Sequence, residues 1–232
     1  MIPYLTYLFK AYTRTYRFIG PVCLFLITVF FLYAVEPNPV MSSYAITAVA
    51  LFPVSAWFAF DIARMEQKAQ EQISYLALGS LPVYLAGKIV IAWFLSICMT
   101  VVALVTPLIL DVFSEPATPA MLAVAFVSHI LVALAGIAAA ACFSLLRKTS
   151  TAVGGLAIVL LLSASRGGMA DSLSGGWKLL KWPFLPVYEL SAVWFSDNLG
   201  RLSDAVTPLL GLLAYTVIYF LLYGGIARKR AF

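Results

Sequence analysis

The residues able to do chemistry are few and scattered. His129 is the single histidine, and the three cysteines, Cys23, Cys98 and Cys142, each stand inside an apolar run with no C-x-x-C spacing. Zinc or iron-sulfur ligation needs clustered thiolates and imidazoles, so this pattern predicts no metal, and the cysteines read as small apolar packing groups. No G-x-x-x-x-G-K-[ST] phosphate loop occurs. The nearest pair, Gly87-Lys88, lacks both the upstream glycine and the following hydroxyl. The motifs H-E-x-x-H and G-x-S-x-G are missing too, and no acid pair falls at helical spacing inside an apolar run, so protease, lipase and proton-relay chemistry are not expected. The expectation is a chain that is not an enzyme, holds no cofactor and cannot hydrolyse ATP alone.

The elements around these residues are greasy. Apolar residues make up 63% of the 232 positions and charged ones 11%, a balance no water-soluble domain tolerates. A spanning helix needs about 20 apolar residues to cross a hydrocarbon core of roughly 30 Å. Apolar runs between charges predict six spans, near Phe18 to Val35, Ser43 to Phe60, Ile89 to Leu110, Ala120 to Leu146, Thr151 to Ser165 and Ala205 to Ile226. The fifth is short and is ended by Gly167-Gly168. The expected fold is all-α and polytopic: residues 1–17 form an interfacial helix, and 18–232 a single six-helix transmembrane domain.

The basic residues set an orientation. Lys10, Arg14, Arg17, Arg64, Lys68, Lys88, Arg147, Lys148, Arg228, Lys229 and Arg230 fall on one side of these spans, against Arg166, Lys178, Lys181 and Arg201 on the other. By the positive-inside rule both termini are expected in the cytoplasm; the expected location is the inner membrane of a bacterium. Basic residues scattered at the ends of apolar runs fit topology better than nucleic-acid binding. Asp61, Lys88, Asp111 and Arg147 sit at span ends, with Lys88 expected to snorkel to the inner surface. No charge falls mid-span, which argues against an ion-coupled carrier. His129, inside the fourth run, reads as a packed, hydrogen-bonded histidine.

Two segments have an amphipathic pattern. Before the first span, Leu5, Phe9, Tyr12 and Tyr16 follow helical spacing with Lys10, Arg14 and Arg17 on the other side, as in a helix lying flat on the inner leaflet or a basic topology signal. Between the second and third spans, residues 61–80 place Ile62, Met65, Ala69, Ile73 and Leu76 on one stripe, while Arg64, Glu66, Lys68 and Glu71 are expected to stay wet. Gly79 and Pro82 supply stop signals. This is either a membrane-surface helix available to a soluble partner or a solvated linker. Outside, Arg166 to Asp204 collects Trp177, Trp182, Pro186 and Trp194, expected in short re-entrant or interfacial helices. Ala133, Gly136 and Ala140 form a small-residue stripe, and Gly154 and Gly155 a second close-approach point, serving either a dimer seam or packing within one bundle.

The stretch Arg64-Met-Glu66 through Glu71-Gln-Ile-Ser-Tyr-Leu-Ala-Leu-Gly79-Ser-Leu-Pro82-Val-Tyr84-Leu-Ala-Gly87-Lys88 resembles the acidic coupling segment, proline and Gly-Lys helix start of ABC-2 type (type V) ABC transporter permeases. The order of elements along nearly the whole chain resembles that family as well. The resemblance implies an exporter subunit paired with a second permease, identical or paralogous, and driven by separate ATP-binding subunits that hold the ATP and Mg. It implies that Arg64, Glu66, Glu71, Ile73 and Leu76 contact the ATPase, that the first, second and fifth spans line the pathway, and that Trp177, Trp182, Pro186 and Trp194 cap its outer exit. A haem-exporter-like subunit of cytochrome c maturation shares the architecture, and a noncatalytic assembly or immunity protein is the reading from another class. Membrane lipid is a partner under each; nucleic acid is not.

Overall fold

A computed structural model describes residues 1–165, 183–195 and 202–231. Among the described residues the chain is all-helical: α1 (Ile2–Arg14), α2 (Ile19–Leu32), α3 (Val40–Arg64), α4 (Lys68–Leu78), α5 (Leu81–Leu110), α6 (Pro119–Ser144), α7 (Thr149–Ala164), α8 (Val187–Phe195) and α9 (Leu202–Ala231). The breaks follow local chemistry. The Thr118 side chain accepts from the Met121 N–H at 3.3 Å and caps α6, whose first residue is Pro119. Gly79, at φ 62°, ends α4 in the left-handed conformation that glycine adopts without penalty.

Four helices are long and apolar enough to cross a membrane: α3, α5, α6 and the Val206–Lys229 part of α9. A fifth span arises if α1 and α2, bent by 75°, count as one. Helix length and composition thus give four spans, or five with the bent pair, where the sequence reading has six. At about 1.5 Å per residue, α2, with 14 residues, reaches about 21 Å, and α7, with 16, about 24 Å. Tyr16, at φ 55°, turns the chain before α2, and α7 stops at Ala164.

The core is built on α3, flanked by α5, α6 and α2, with α9 against α6. At Gly136 helices α3 and α6 come close together: a Cβ there would collide with the Phe52 carbonyl and the Ser55 hydroxyl. Ala133 and Ala140 are buried with it, so this stripe packs within the chain. A Cβ on Gly155 would stand 2.6 Å from the Phe143 ring, whereas Gly154 faces open space.

Among the described residues the two ends of the bundle differ in charge. At one end the 36–42 and 111–119 loops lie together: the Asn38 N–H donates to the Val112 carbonyl and the Ser114 N–H to the Asn38 carbonyl, both at 2.9 Å. At the other end a guanidinium nitrogen of Arg64 donates to the Leu146 carbonyl at 2.6 Å, a cation on the C-terminal carbonyls after α6. Lys88 lies at this same end, where its ammonium donates to the Ala63 carbonyl at 3.1 Å.

Candidate functional site

The site lies at the basic end, where α3 gives way to α4 and α4 to α5. Residues 61–80 are not one helix. Helix α3 continues to Arg64, and Met65 to Gln67 form a break. A capping box then starts α4, with the Gln67 N–H donating to the Gln70 side chain at 3.3 Å.

Glu66, in the break, does not stay wet. Its side chain is 1% exposed and lies 3.0 Å from the Lys88 ammonium, itself 5% exposed. Lys88 accordingly does not snorkel to the surface; it turns inward to this carboxylate. The Ser74 hydroxyl donates to Glu66 Oε1 at 2.9 Å, and the Tyr84 hydroxyl lies 2.9 Å from Glu66 Oε2 and 3.0 Å from Glu71 Oε1. One phenol proton serves two carboxylates, so Tyr84 bridges them. Glu71 is half exposed, with an oxygen 4.0 Å from Lys88. The Glu66 carboxylate thus has an opposite charge and two hydroxyl donors around it, and the Lys88 ammonium an opposite charge and a carbonyl acceptor, the condition under which a desolvated ion pair is tolerated.

Helix α1 closes the site from the side. The Tyr4 ring fills the notch left by Gly87, where a Cβ would meet it at 2.6 Å, and lies 5.8 Å from the Tyr84 ring. Burial first, then Glu66, pushes the Tyr4 phenol well above its ordinary pKa, so it stays neutral. The face of α1 turned to the bundle is Tyr4, Leu8 and Tyr12; of the stripe expected on the leaflet, Phe9 and Tyr16 are exposed, Tyr16 beyond the end of the helix, and Tyr12 is buried in the bundle.

Two apolar residues of α4, Ile73 and Leu76, point the other way, while Leu78 packs against the core. Ile73 is 67% and Leu76 75% exposed, and Ile73 forms one wall of a groove of about 550 Å³ between α4 and the Met1 to Tyr7 part of α1. Of the five predicted partner contacts, Ile73 and Leu76 face outward and Glu71 is half exposed. Glu66 is buried, and Arg64 holds the carbonyls after α6. Sequence reasoning missed Tyr84, Ser74 and Tyr4; the signal available for Tyr84 was its place one turn before Lys88.

Trp177 and Trp182 lie outside the described residues. Pro186 packs against α9 near Gly211, and Trp194 is buried beside Ala45, Ala48, Val49 and Val132. These two residues sit along the flanks of α3, α6 and α9. In α6, His129 Nδ1 lies 2.7 Å from the Ala125 carbonyl and Nε2 3.0 Å from the Thr47 hydroxyl. A carbonyl only accepts, so Nδ1 carries the proton, and Nε2 accepts from Thr47.

No family model matches the chain, and neither does any curated protein or solved structure.

Proposed function

We propose that the chain is the membrane-spanning permease subunit of an ABC exporter of the ABC-2 (type V) kind, acting as a dimer and driven by separate ATP-binding subunits. The observation that carries this reading is the state of α4. Two large apolar side chains, Ile73 and Leu76, point away from the bundle, while the opposite side of the helix is tied by Glu71 and Ser74 to Glu66, Tyr84 and Lys88. A short helix held this firmly, with its greasy side turned outward, is suited to a groove on a soluble partner.

The same ties give a route for force. Displacing α4 moves Glu66, hence Lys88 and Tyr84 on α5, and through the Lys88 to Ala63 contact the end of α3 as well. Nucleotide-driven closure of two ATPase subunits would then shift two such bundles between inward-open and outward-open states as rigid bodies. The chain itself holds neither ATP nor Mg in this scheme.

Six spans remain the topology that fits this function. Gly20 lies against Trp57 near one end of the bundle, and Tyr33 meets Phe113 at the other, so α2 runs the height that α3 covers between Trp57 and Tyr44. Counting α2 as the first span and α7 as the fifth, with the basic end inside, leaves both termini in the cytoplasm of a bacterium. The occupied nitrogens of His129 weigh against haem as cargo.

The test is capture of a phosphate-loop ATPase encoded beside this chain. Tagged wild type should retain it, and Ile73→Glu with Leu76→Glu should lose it while inserting normally. Substrate movement by the purified chain alone, without an ATPase, would overturn the reading.

A further inference from the structure

We infer that the outward side of α1 is a binding site for the phosphate of an anionic phospholipid, held between Lys10 and Arg14. Pro3, Thr6, Tyr7, Lys10, Ala11 and Arg14 line a shallow concavity of about 390 Å³. Lys10 and Arg14 stand one helical turn apart on the same face, both exposed. Neither has an ion pair or a side-chain hydrogen bond among the described residues, unlike Lys88 and Arg64 at the same end of the bundle. No carboxylate lines the concavity, so its charged groups are an ammonium and a guanidinium, whose fork matches two phosphate oxygens.

The site is held in place. Tyr7 stacks on Tyr4 with ring centroids 6.3 Å apart, and Tyr4 is wedged into the Gly87 notch. Phe9, next to Lys10, meets Phe94 of α5 edge-on at 6.0 Å, and Phe94 is 50% exposed on a helix apolar enough to span the membrane. That contact seats α1 against the exposed apolar surface of α5, so the Lys10 and Arg14 face stands where a phospholipid headgroup lies, with the lipid's chains beside α5. The site does not depend on an ATPase partner.

The test uses full-length protein in nanodiscs of phosphatidylcholine with a minor share of phosphatidylglycerol, followed by quantitation of the lipid retained on transfer to mild detergent. Wild type should enrich phosphatidylglycerol over its bulk share, and Lys10→Gln with Arg14→Gln should lower that enrichment by about fivefold per charge. Lys148→Gln, which removes a basic residue elsewhere at the same end, should leave it unchanged, and both variants should keep the wild-type melting temperature. Equal enrichment in the Lys10→Gln/Arg14→Gln protein would overturn the inference. So would displacement of the lipid by millimolar inorganic phosphate, which would mean a free-anion site. Loss of a co-purifying protein with lipid retention unaltered would do the same, reassigning the patch to a protein partner.

Discussion

Glu66 and Lys88 meet at 3.0 Å with side chains 1% and 5% exposed, although one lies before helix α4 and the other two turns into α5. The pair ties the break before α4 to α5, and α4 is held to it through Ser74, which donates to Glu66, and Glu71, which accepts from Tyr84. A further acid, Glu71, lies at 4.0 Å, and the hydroxyls of Ser74 and Tyr84 complete the shell around Glu66.

Removing one partner should cost more than removing both. Lys88→Met leaves the Glu66 carboxylate buried with only neutral donors, an error of about 3–5 kcal/mol. Lys88→Met combined with Glu66→Gln should recover most of that loss, because no uncompensated charge remains. Thermal unfolding in detergent, measured on the two single variants and the double, checks this. Additive losses would mean that the pair is not coupled.

The glycines should separate by what surrounds them. Gly136→Ala forces a methyl into the Phe52 carbonyl and the Ser55 hydroxyl, pushing α3 and α6 apart at a cost of about 1–3 kcal/mol. Gly154→Ala meets nothing within 4 Å and should be neutral or stabilising by up to about 1 kcal/mol. Unfolding midpoints of the two variants decide the matter. A destabilised Gly154→Ala protein would point to a neighbour in an oligomer.

The positions of α3, α5, α6 and α9 were legible because long apolar runs bounded by charge have few alternatives, and the sequence limits Ser43 to Phe60 fall inside Val40–Arg64. The facing of α4 was not. Periodicity separates a polar side from an apolar one, but the rule that the polar side meets water assumes that nothing buried attracts it. Lys88 breaks that assumption: its ammonium below the surface draws Glu66 inward and leaves Ile73 and Leu76 outside. For α1 the missing information was again in another element, since Gly87 opens the notch that selects Tyr4, Leu8 and Tyr12 as the packed face. Contacts between residues distant in the chain leave no mark in a helical repeat.

Labelling should assign the two ends to opposite sides of the membrane. In a background without Cys23, Cys98 and Cys142, cysteine placed at the exposed Glu115 should react with an impermeant maleimide from outside, and cysteine at the exposed Lys68 only after the inner face is opened. Cysteine at Glu66 should react slowly from either side, because that position is buried. Outside labelling at Lys68 with inside labelling at Glu115 would invert the topology.

His129 offers the sharpest contrast between an exporter of other cargo and a haem-handling subunit. A haem ligand needs a free nitrogen lone pair, and here Nδ1 donates to the Ala125 carbonyl while Nε2 accepts from Thr47, inside a fully buried setting. Freeing Nε2 means turning the Thr47 hydroxyl to the Ser43 or Tyr44 carbonyl, 3.3 and 3.1 Å away, and opening the contact of α3 with α6 to admit a macrocycle. His129→Leu should therefore lower stability by about 1–3 kcal/mol through its two hydrogen bonds, while haem titrated into wild type and variant should give the same absorption spectrum, without an imidazole-ligated band. An imidazole-ligated spectrum in wild type that disappears in His129→Leu would reverse the assignment and make haem the cargo to test first.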